Sequence, residues 1–166
     1  VELTPYSGGG FGQLWLIDTR TGARRLLTQP GIGGQNAGDM SDAVQPSWSP
    51  HGHRIAFWGA SWQGHRDLWT IDPDAAQPKQ TLVRVTSGRA LHWNPVWAPD
   101  GKDLYFGSNA DGTLNLWRVA MDEATGKPTA APEPLSLPAP MSGHFSVSRD
   151  GDLAYVAVTR TNRMLA

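Results

Sequence analysis

The sequence predicts an all-β protein built from a repeated four-stranded antiparallel unit. Three observations carry this prediction. The 166 residues include 19 glycines and 13 prolines, a content that favours many turns and short strands. Two motifs recur at intervals of about fifty residues. No window shows the apolar positions at i, i+3, i+4 and i+7, with capping residues, that an amphipathic helix requires.

The first motif is a short strand followed by a turn that ends in glycine. Its three copies are QPSWSPHG at 45–52, NPVWAPDG at 94–101 and HFSVSRDG at 144–151, so their glycines lie 49 and 50 residues apart. Because glycine tolerates a positive φ, each copy predicts a tight turn into a second strand. The strand before the turn is expected to carry Trp48 or Trp97 inward.

The second motif is a strand that begins with Leu-Trp. Its copies are LWLID at 14–18, LWTID at 68–72 and LWRVA at 116–120. Further strands are predicted after it, at 24–28 and 81–86. Trp15, Trp69 and Trp117 are expected to pack between units, because tryptophan is costly to leave exposed. Four short antiparallel strands in every ~50 residues predict the blades of a β-propeller.

The repeats divide the chain into segments. These are an N-terminal segment 1–10, a half blade 11–28, blades 45–86 and 94–137, and a partial blade 144–166, with predicted inter-blade loops at 29–44 and 130–142. They add up to about three blade equivalents, whereas a closed propeller needs at least ~4. Two interpretations stay open. Two chains close a six-bladed ring as a homodimer, or the chain is a mature segment or piece of a longer propeller.

Composition excludes several classes of function. The net charge is −1, without the clustered lysines and arginines that nucleic acid binding requires. Cysteine is absent, which rules out disulfides, thiolate zinc sites and cysteine nucleophiles within this sequence. No apolar run approaches ~18 residues, so no membrane insertion is predicted. A cysteine-free chain fits a periplasmic or extracytoplasmic location, and it also fits the cytoplasm.

Motifs for catalysis and for cofactors are missing from the sequence. It contains no Gly-x-Ser-x-Gly elbow, Walker loop, dinucleotide fingerprint or EF-hand loop. His51 and His53 flank a turn glycine, and no third metal ligand lies at a fixed spacing from them. The prediction is a protein that is not an enzyme and has no catalytic, metal or cofactor-binding residues.

The two motifs resemble the TolB-type propeller repeat, also called the PD40 or WD40-like β-propeller repeat. The resemblance rests on Pro46-x-Trp48-Ser49-Pro50-x-Gly52 and its copy at 95–101, and it covers about residues 11 to 158. The third copy departs from the pattern, with Val147 in place of the tryptophan and Arg149 in place of the proline.

The resemblance implies a function in recognition. The family includes the bacterial translocation protein TolB, the propellers of prolyl-oligopeptidase-like and tricorn proteases, and sensor regions of bacterial kinases and regulators. The predicted function is therefore a non-enzymatic, TolB-like scaffold that binds a protein, a peptide or another ligand. An accessory propeller of a serine peptidase, or the sensor propeller of a kinase or transcriptional regulator, is the alternative.

Six residues are candidates for the binding surface. They are Trp58, Trp62, His65, Arg66, His92 and His144. The first four form an aromatic and basic cluster that the other repeats lack, predicted on or beside a loop. The two remaining histidines lie near the start of a first strand, where propeller loops converge on the central channel. Local capping of a blade edge and solvated loop histidines are the alternative interpretations.

Overall fold

The computed structural model describes residues 12–28, 42–60, 64–139 and 141–157, with backbone alone at Ser142. The thirteen strands described are β1 (Trp15–Ile17), β2 (Arg24–Leu26), β3 (Val44–Trp48), β4 (Ile55–Ala60), β5 (Arg66–Ile71), β6 (Val83–Arg84), β7 (His92–Trp97), β8 (Asp103–Ser108), β9 (Asn115–Asp122), β10 (Lys127–Pro128), β11 (Glu133–Pro134), β12 (Met141–Val147) and β13 (Leu153–Ala157). Helix in these ranges is limited to one 3-10 turn, Pro78–Thr81. The prediction of an all-β protein is confirmed.

The strands form four antiparallel sheets in chain order. The second sheet has the order β3-β4-β5-β6, and the third has β7-β8-β9 with β10 and β11 both on the outer edge of β9. The first sheet contains β1 and β2, and the fourth contains β12 and β13. By the repeat, β1 corresponds to β5 and β9, so the first sheet consists of outer strands and the fourth of inner strands. The described sheets form an arc and not a closed ring.

The turn glycines of the first motif adopt the backbone that the turn requires. Gly52, Gly101 and Gly151 have φ values of 81°, 73° and 90°. A residue with a side chain is strained at such positive φ values. Glycine therefore lets each first strand turn directly into the second strand that pairs with it.

The predicted inter-blade loop 130–142 is partly wrong, and most of the predicted loop 29–44 lies outside the described residues. Within 130–142, the backbone at Glu133–Pro134 pairs with β9 and Met141 begins β12. A strand with proline is tolerated there because an edge strand need not donate on its outer side. Most of the other predicted loop, 29–41, lies outside the described residues, and Val44 already belongs to β3.

The core lies between the sheets, where apolar side chains alternate toward one neighbour or the other. The second sheet turns Ile55 and Phe57 toward the first sheet, and Ala56 and Trp58 toward the third. A third cluster, centred on Leu116, joins the third and fourth sheets. Each sheet is therefore held by burial against its neighbours, as propeller blades are.

The expectation that Trp48 and Trp15 pack inward is wrong. Trp97 is 5% exposed, whereas its repeat equivalent Trp48 is 51% exposed and Trp15 is 53% exposed. Side chains at these positions face the preceding sheet. The second sheet covers Trp97, but the first sheet has no inner strands among the described residues to cover Trp48.

The fourth sheet also differs from the repeat alignment by one residue. The backbone N–H of Ser148 bonds to the carbonyl of Asp152, whereas that of Ala98 bonds to Asp103, so the hairpin is one residue shorter. Val147 therefore pairs with Leu153, as Trp97 pairs with Leu104. A shift of one residue reverses the faces of a strand, so Leu153, and not Ala154, packs on the third sheet.

Polar contacts join the turns of the second and third sheets at one edge. His51 Nδ1 lies 2.6 Å from Glu123 Oε2, and the His51 backbone N–H donates to Oε1 at 3.0 Å. The Thr70 hydroxyl donates to the carbonyl of Gly126 at 2.8 Å. His51 is thus a partner in a hydrogen-bonded contact between sheets. No group of three His, Asp or Glu side chains suited to a metal ion occurs in the described ranges.

Candidate recognition cleft

The innermost strand of each of the last three sheets is interrupted at the same repeat position. The pairing register shifts between Val44 and Ser47 in β3, between Trp93 and Val96 in β7, and between Met141 and Phe145 in β12. Such β-bulges bend a strand and redirect its side chains, and they are common beside functional sites. The bulges bring one end of β3, β7 and β12 around a common cleft.

Each bulge contains a residue with left-handed backbone. Gln45 has φ 55°, Asn94 has φ 52°, and Gly143 has φ 100°. A non-glycine residue here costs roughly 1–2 kcal/mol, so packing elsewhere in the sheets must hold Gln45 and Asn94 in place. Gln45 and Asn94 are each followed by a proline. Proline is compatible with a bulge because a bulge leaves a residue outside the hydrogen-bonding ladder, and proline has no N–H to donate to it.

The side chain of Gln45 links the second and third sheets. Its Oε1 accepts a hydrogen bond from Trp58 Nε1 at 2.7 Å and another from the backbone N–H of Asn94 at 3.1 Å. One amide oxygen therefore fixes both the indole of its own sheet and the bulge of the next.

The cleft has a volume of about 480 Å³ and is lined by three of the four sheets. Aliphatic side chains line part of it, and its other lining residues are Gln45, Trp58, Arg66, Trp93, Gly143 and His144. This size lies within the range of roughly 300–1,000 Å³ that is usual for ligand sites. A combination of apolar wall, indole rings and few polar groups suits recognition more than acid–base chemistry.

Arg66 supplies the cleft with a cation. Its guanidinium carbon lies 4.8 Å from the centre of the Trp58 ring, a cation–π contact. No ion pair to Arg66 occurs within the described part of the chain, whereas Arg84 pairs with Asp67 and Arg118 pairs with Glu133. The residues that line the cleft include no aspartate or glutamate.

Three of the predicted binding residues line this cleft, namely Trp58, Arg66 and His144. The sequence predicts Trp58 on or beside a loop, whereas the structure places it inside β4, which runs on to Ala60, with 5% of its surface exposed. Arg66 begins β5, and His144 is exposed in β12.

The other three predicted residues lie elsewhere. His65 Nδ1 is 2.7 Å from the carbonyl oxygen of Gly88. His92 belongs to β7, is 5% exposed, and meets Phe106 edge-on at 5.5 Å between ring centres, so it is a core residue and not a channel residue. Trp62 lies outside the described residues.

Burial controls the titration of His92. Desolvation lowers the pKa of its imidazole below the ordinary value of 6.5, although the negative charge of Asp67 opposes the shift. Its Nδ1 is buried without a hydrogen-bond partner in the described structure. A neutral ring is therefore favoured at this position.

Sequence reasoning did not place Gln45 or Trp93 in the binding surface. Trp93 has no counterpart in the other repeats, and it follows His92 in the sequence. An unrepeated tryptophan at this position was a usable signal for the binding surface. Gln45 and Asn94 both precede the proline of the first motif, so a polar residue at a repeated irregular position was a second signal. The sequence did not reveal that bulges would bring these positions together.

Comparison with known proteins locates this fold among TolB structures. The chain superimposes on the protein assigned as TolB in Agrobacterium tumefaciens with a TM-score of 0.62 and 23% identity, over 81% of this chain and 42% of that one. It also superimposes on TolB from Acinetobacter baumannii with a TM-score of 0.63 and 22% identity, over 90% of this chain and 32% of that one. The chain has a TolB-like fold.

A sequence relative comes from Agrobacterium fabrum. This uncharacterized protein is 32% identical over 113 residues, which are 68% of this chain and 33% of the relative. The chain thus spans about a third of the length of this relative. No protein-family model matches the sequence. Among the described residues, no helix has the length and apolar character needed to cross a membrane.

Proposed function

We propose that this chain is a non-enzymatic binding scaffold that recognises a protein or peptide through the cleft at the ends of β3, β7 and β12. The observation that supports the proposal is the joint construction of the cleft by three sheets, which place Trp58, Trp93 and Arg66 around it. Tryptophan and arginine are the residues most enriched at the energetic centres of protein interfaces.

The positions of these residues favour an extended partner. The cleft crosses from the second sheet to the fourth, so a ligand that fills it contacts three repeats. A peptide segment can place successive side chains against Leu91, Leu114 and Trp93 while its backbone follows the bulges. The TolB-like fold accords with a binding role, and we propose a periplasmic or extracytoplasmic location on the same basis.

Selection of peptides tests the proposal. A library of random twelve-residue peptides displayed on phage is selected on the immobilised 166-residue chain, and the best peptides are synthesised and titrated by calorimetry. We expect Trp93→Ala to weaken binding at least about tenfold, as truncation of an interface anchor does. Because Trp93 also packs against the core, His144→Ala is titrated as a second variant at an exposed cleft position.

Trp15→Ala is the matched control. Trp15 is 53% exposed on the first sheet and does not line the cleft, so its removal tests whether peptides merely adhere to exposed indole. Affinity that falls for Trp15→Ala and not for the two cleft variants would overturn the proposal. A selection that yields no peptide whose binding depends on a cleft residue would also overturn it.

A further inference from the structure

We infer that the cleft recognises an acidic peptide and that Arg66 binds its carboxylate. This inference rests on the proposed function and names the ligand class of the same site.

The guanidinium of Arg66 is held in place by a series of contacts. Gln45 Oε1 fixes the indole of Trp58 by a hydrogen bond of 2.7 Å, and the guanidinium carbon of Arg66 lies 4.8 Å from the centre of that ring. The backbone of Arg66 is held as well, since it forms a parallel bridge with Leu91. Stacking on an indole leaves the edge of the guanidinium, with its N–H donors, free to bind a ligand.

The positive charge of Arg66 is not neutralised within the described structure. The next residue, Asp67, is 4% exposed, and its carboxylate pairs with Arg84 Nη2 at 2.5 Å and accepts from the Thr86 hydroxyl at 3.3 Å. It therefore serves a different arginine. Since Arg66 is exposed and no carboxylate lines the cleft, an acidic ligand would meet a guanidinium that has no competing ion-pair partner there.

The number of charges favours a carboxylate over a phosphate. One arginine and the exposed imidazole of His144 line the cleft, whereas phosphate carries close to two negative charges and is usually held by several cations or backbone N–H groups. A planar guanidinium donates two parallel hydrogen bonds to a carboxylate. The surrounding indole and aliphatic side chains suit apolar residues on either side of the acid.

Titration of three forms of each peptide against four forms of the protein tests the inference. Each cleft-binding peptide from the selection is synthesised with its Asp and Glu changed to Asn and Gln, and separately with an amidated C-terminus. Binding is titrated to the wild type, Arg66→Gln, Arg66→Lys and the control Arg118→Gln. Arg118 is a half-exposed arginine that does not line the cleft, paired with Glu133 on the adjoining edge strand.

When the peptide carboxylate is neutralised, we expect the affinity for the wild type to fall about tenfold or more. The affinity for Arg66→Gln should change little, because a charge-assisted hydrogen bond needs both partners. Arg66→Lys should retain part of the affinity, and Arg118→Gln all of it. A loss confined to the amidated peptides would assign the C-terminal carboxylate. A loss confined to the side-chain changes would assign an Asp or Glu.

Failure of this inference differs from failure of the proposed function. Peptides that lose affinity with Trp93→Ala or His144→Ala, and bind equally with and without their carboxylates, would refute the role of Arg66 and leave the binding scaffold intact. Each selected peptide is also synthesised with a phosphoserine in place of its acidic residue. Tighter binding of the phosphoserine version than of the carboxylate version would overturn the assignment of the ligand class. Peptides insensitive to every cleft variant would remove both.

Discussion

Trp48 and Trp97 occupy the same position in successive repeats, yet Trp48 is 51% exposed and Trp97 is 5% exposed. Each is the last residue of an innermost strand, Trp48 of β3 and Trp97 of β7, and both side chains face the preceding sheet. The difference arises from the neighbour: two inner strands of the second sheet cover Trp97, and no inner strand of the first sheet is described beside Trp48.

This pair predicts unequal costs for the same substitution. Trp97→Ala should lower the free energy of unfolding by about 3–5 kcal/mol, as removal of a buried large side chain does. Trp48→Ala should cost less than about 1 kcal/mol, because little apolar surface leaves the interior. Urea unfolding of the two variants measures the difference. Equal losses would mean that Trp48 is covered in solution.

Two turn glycines provide a second matched pair. Gly22 and Gly126 have nearly the same φ, 72° and 71°, in equivalent turns after β1 and β9. An added methyl group at Gly22 meets nothing within 4 Å, whereas at Gly126 it collides with the Thr70 hydroxyl of the second sheet. Gly22→Ala should therefore cost only the left-handed strain of roughly 1 kcal/mol.

Gly126→Ala should destabilise the protein by that strain and by a further ~1–3 kcal/mol, the usual cost of overpacking. The double variant Gly126→Ala with Thr70→Ala should be more stable than the sum of the two single losses implies, because the collision with the hydroxyl is gone and the contact with Arg54 Cδ at 3.0 Å is what remains. Thermal unfolding distinguishes the variants. If Gly22→Ala and Gly126→Ala unfold at the same temperature, the second and third sheets do not pack as described.

His92 predicts a dependence of stability on pH. Burial lowers the pKa of its imidazole below 6.5 in the folded state, while the unfolded chain titrates near that ordinary value. As the pH falls through 6.5, the unfolded state takes up a proton that the folded state does not, so the stability contributed by the neutral ring is present above that pH and is lost below it.

The comparison of His92→Leu with the wild type isolates this contribution. The free energy of unfolding is measured in urea at about pH 7.5 and about pH 5.5, where ordinary histidine is mostly neutral and mostly protonated. The wild type should lose more stability over this interval than the variant does. Identical losses would show that His92 titrates normally and is therefore not buried.

The two half sheets among the described residues predict a test of the homodimer. β13 corresponds to β4 and β8, and β1 corresponds to β5 and β9, the strands that pair with them. The edge of β13 that no described strand covers could therefore pair with the corresponding edge of β1 in another chain. Light scattering over a dilution series should then give a stable mass of twice 18.0 kDa. A single-chain mass would leave the alternative, in which other blades of a longer protein flank this arc.

The repeat could be predicted because its turns have a local cause. Gly52 and Gly101 occupy backbone that disfavours any side chain, so they mark each unit in the sequence itself. The exposure of Trp48 could not be predicted in this way, since it depends on the sheet next to it and not on its own motif. The one-residue shortening before Leu153 was hidden because Gly151 kept the regular spacing.

The cleft was only partly predictable for a similar reason. Arg66 and Trp58 were identified because they break the repeat in a short stretch of sequence. Gln45 and Trp93 join them through bulges in two separate sheets, and a bulge depends on pairing between strands that the sequence of one strand does not specify.

The position of a bound peptide on the chain decides whether the cleft is the recognition site. A peptide from the selection, carrying a benzophenone group, is photocrosslinked to the 166-residue chain, and the attached residues are identified by mass spectrometry. We expect attachment at the cleft, near Leu91, Trp93, Leu114 and His144. Attachment at the exposed Trp15 and Trp48, with none in the cleft, would contradict it.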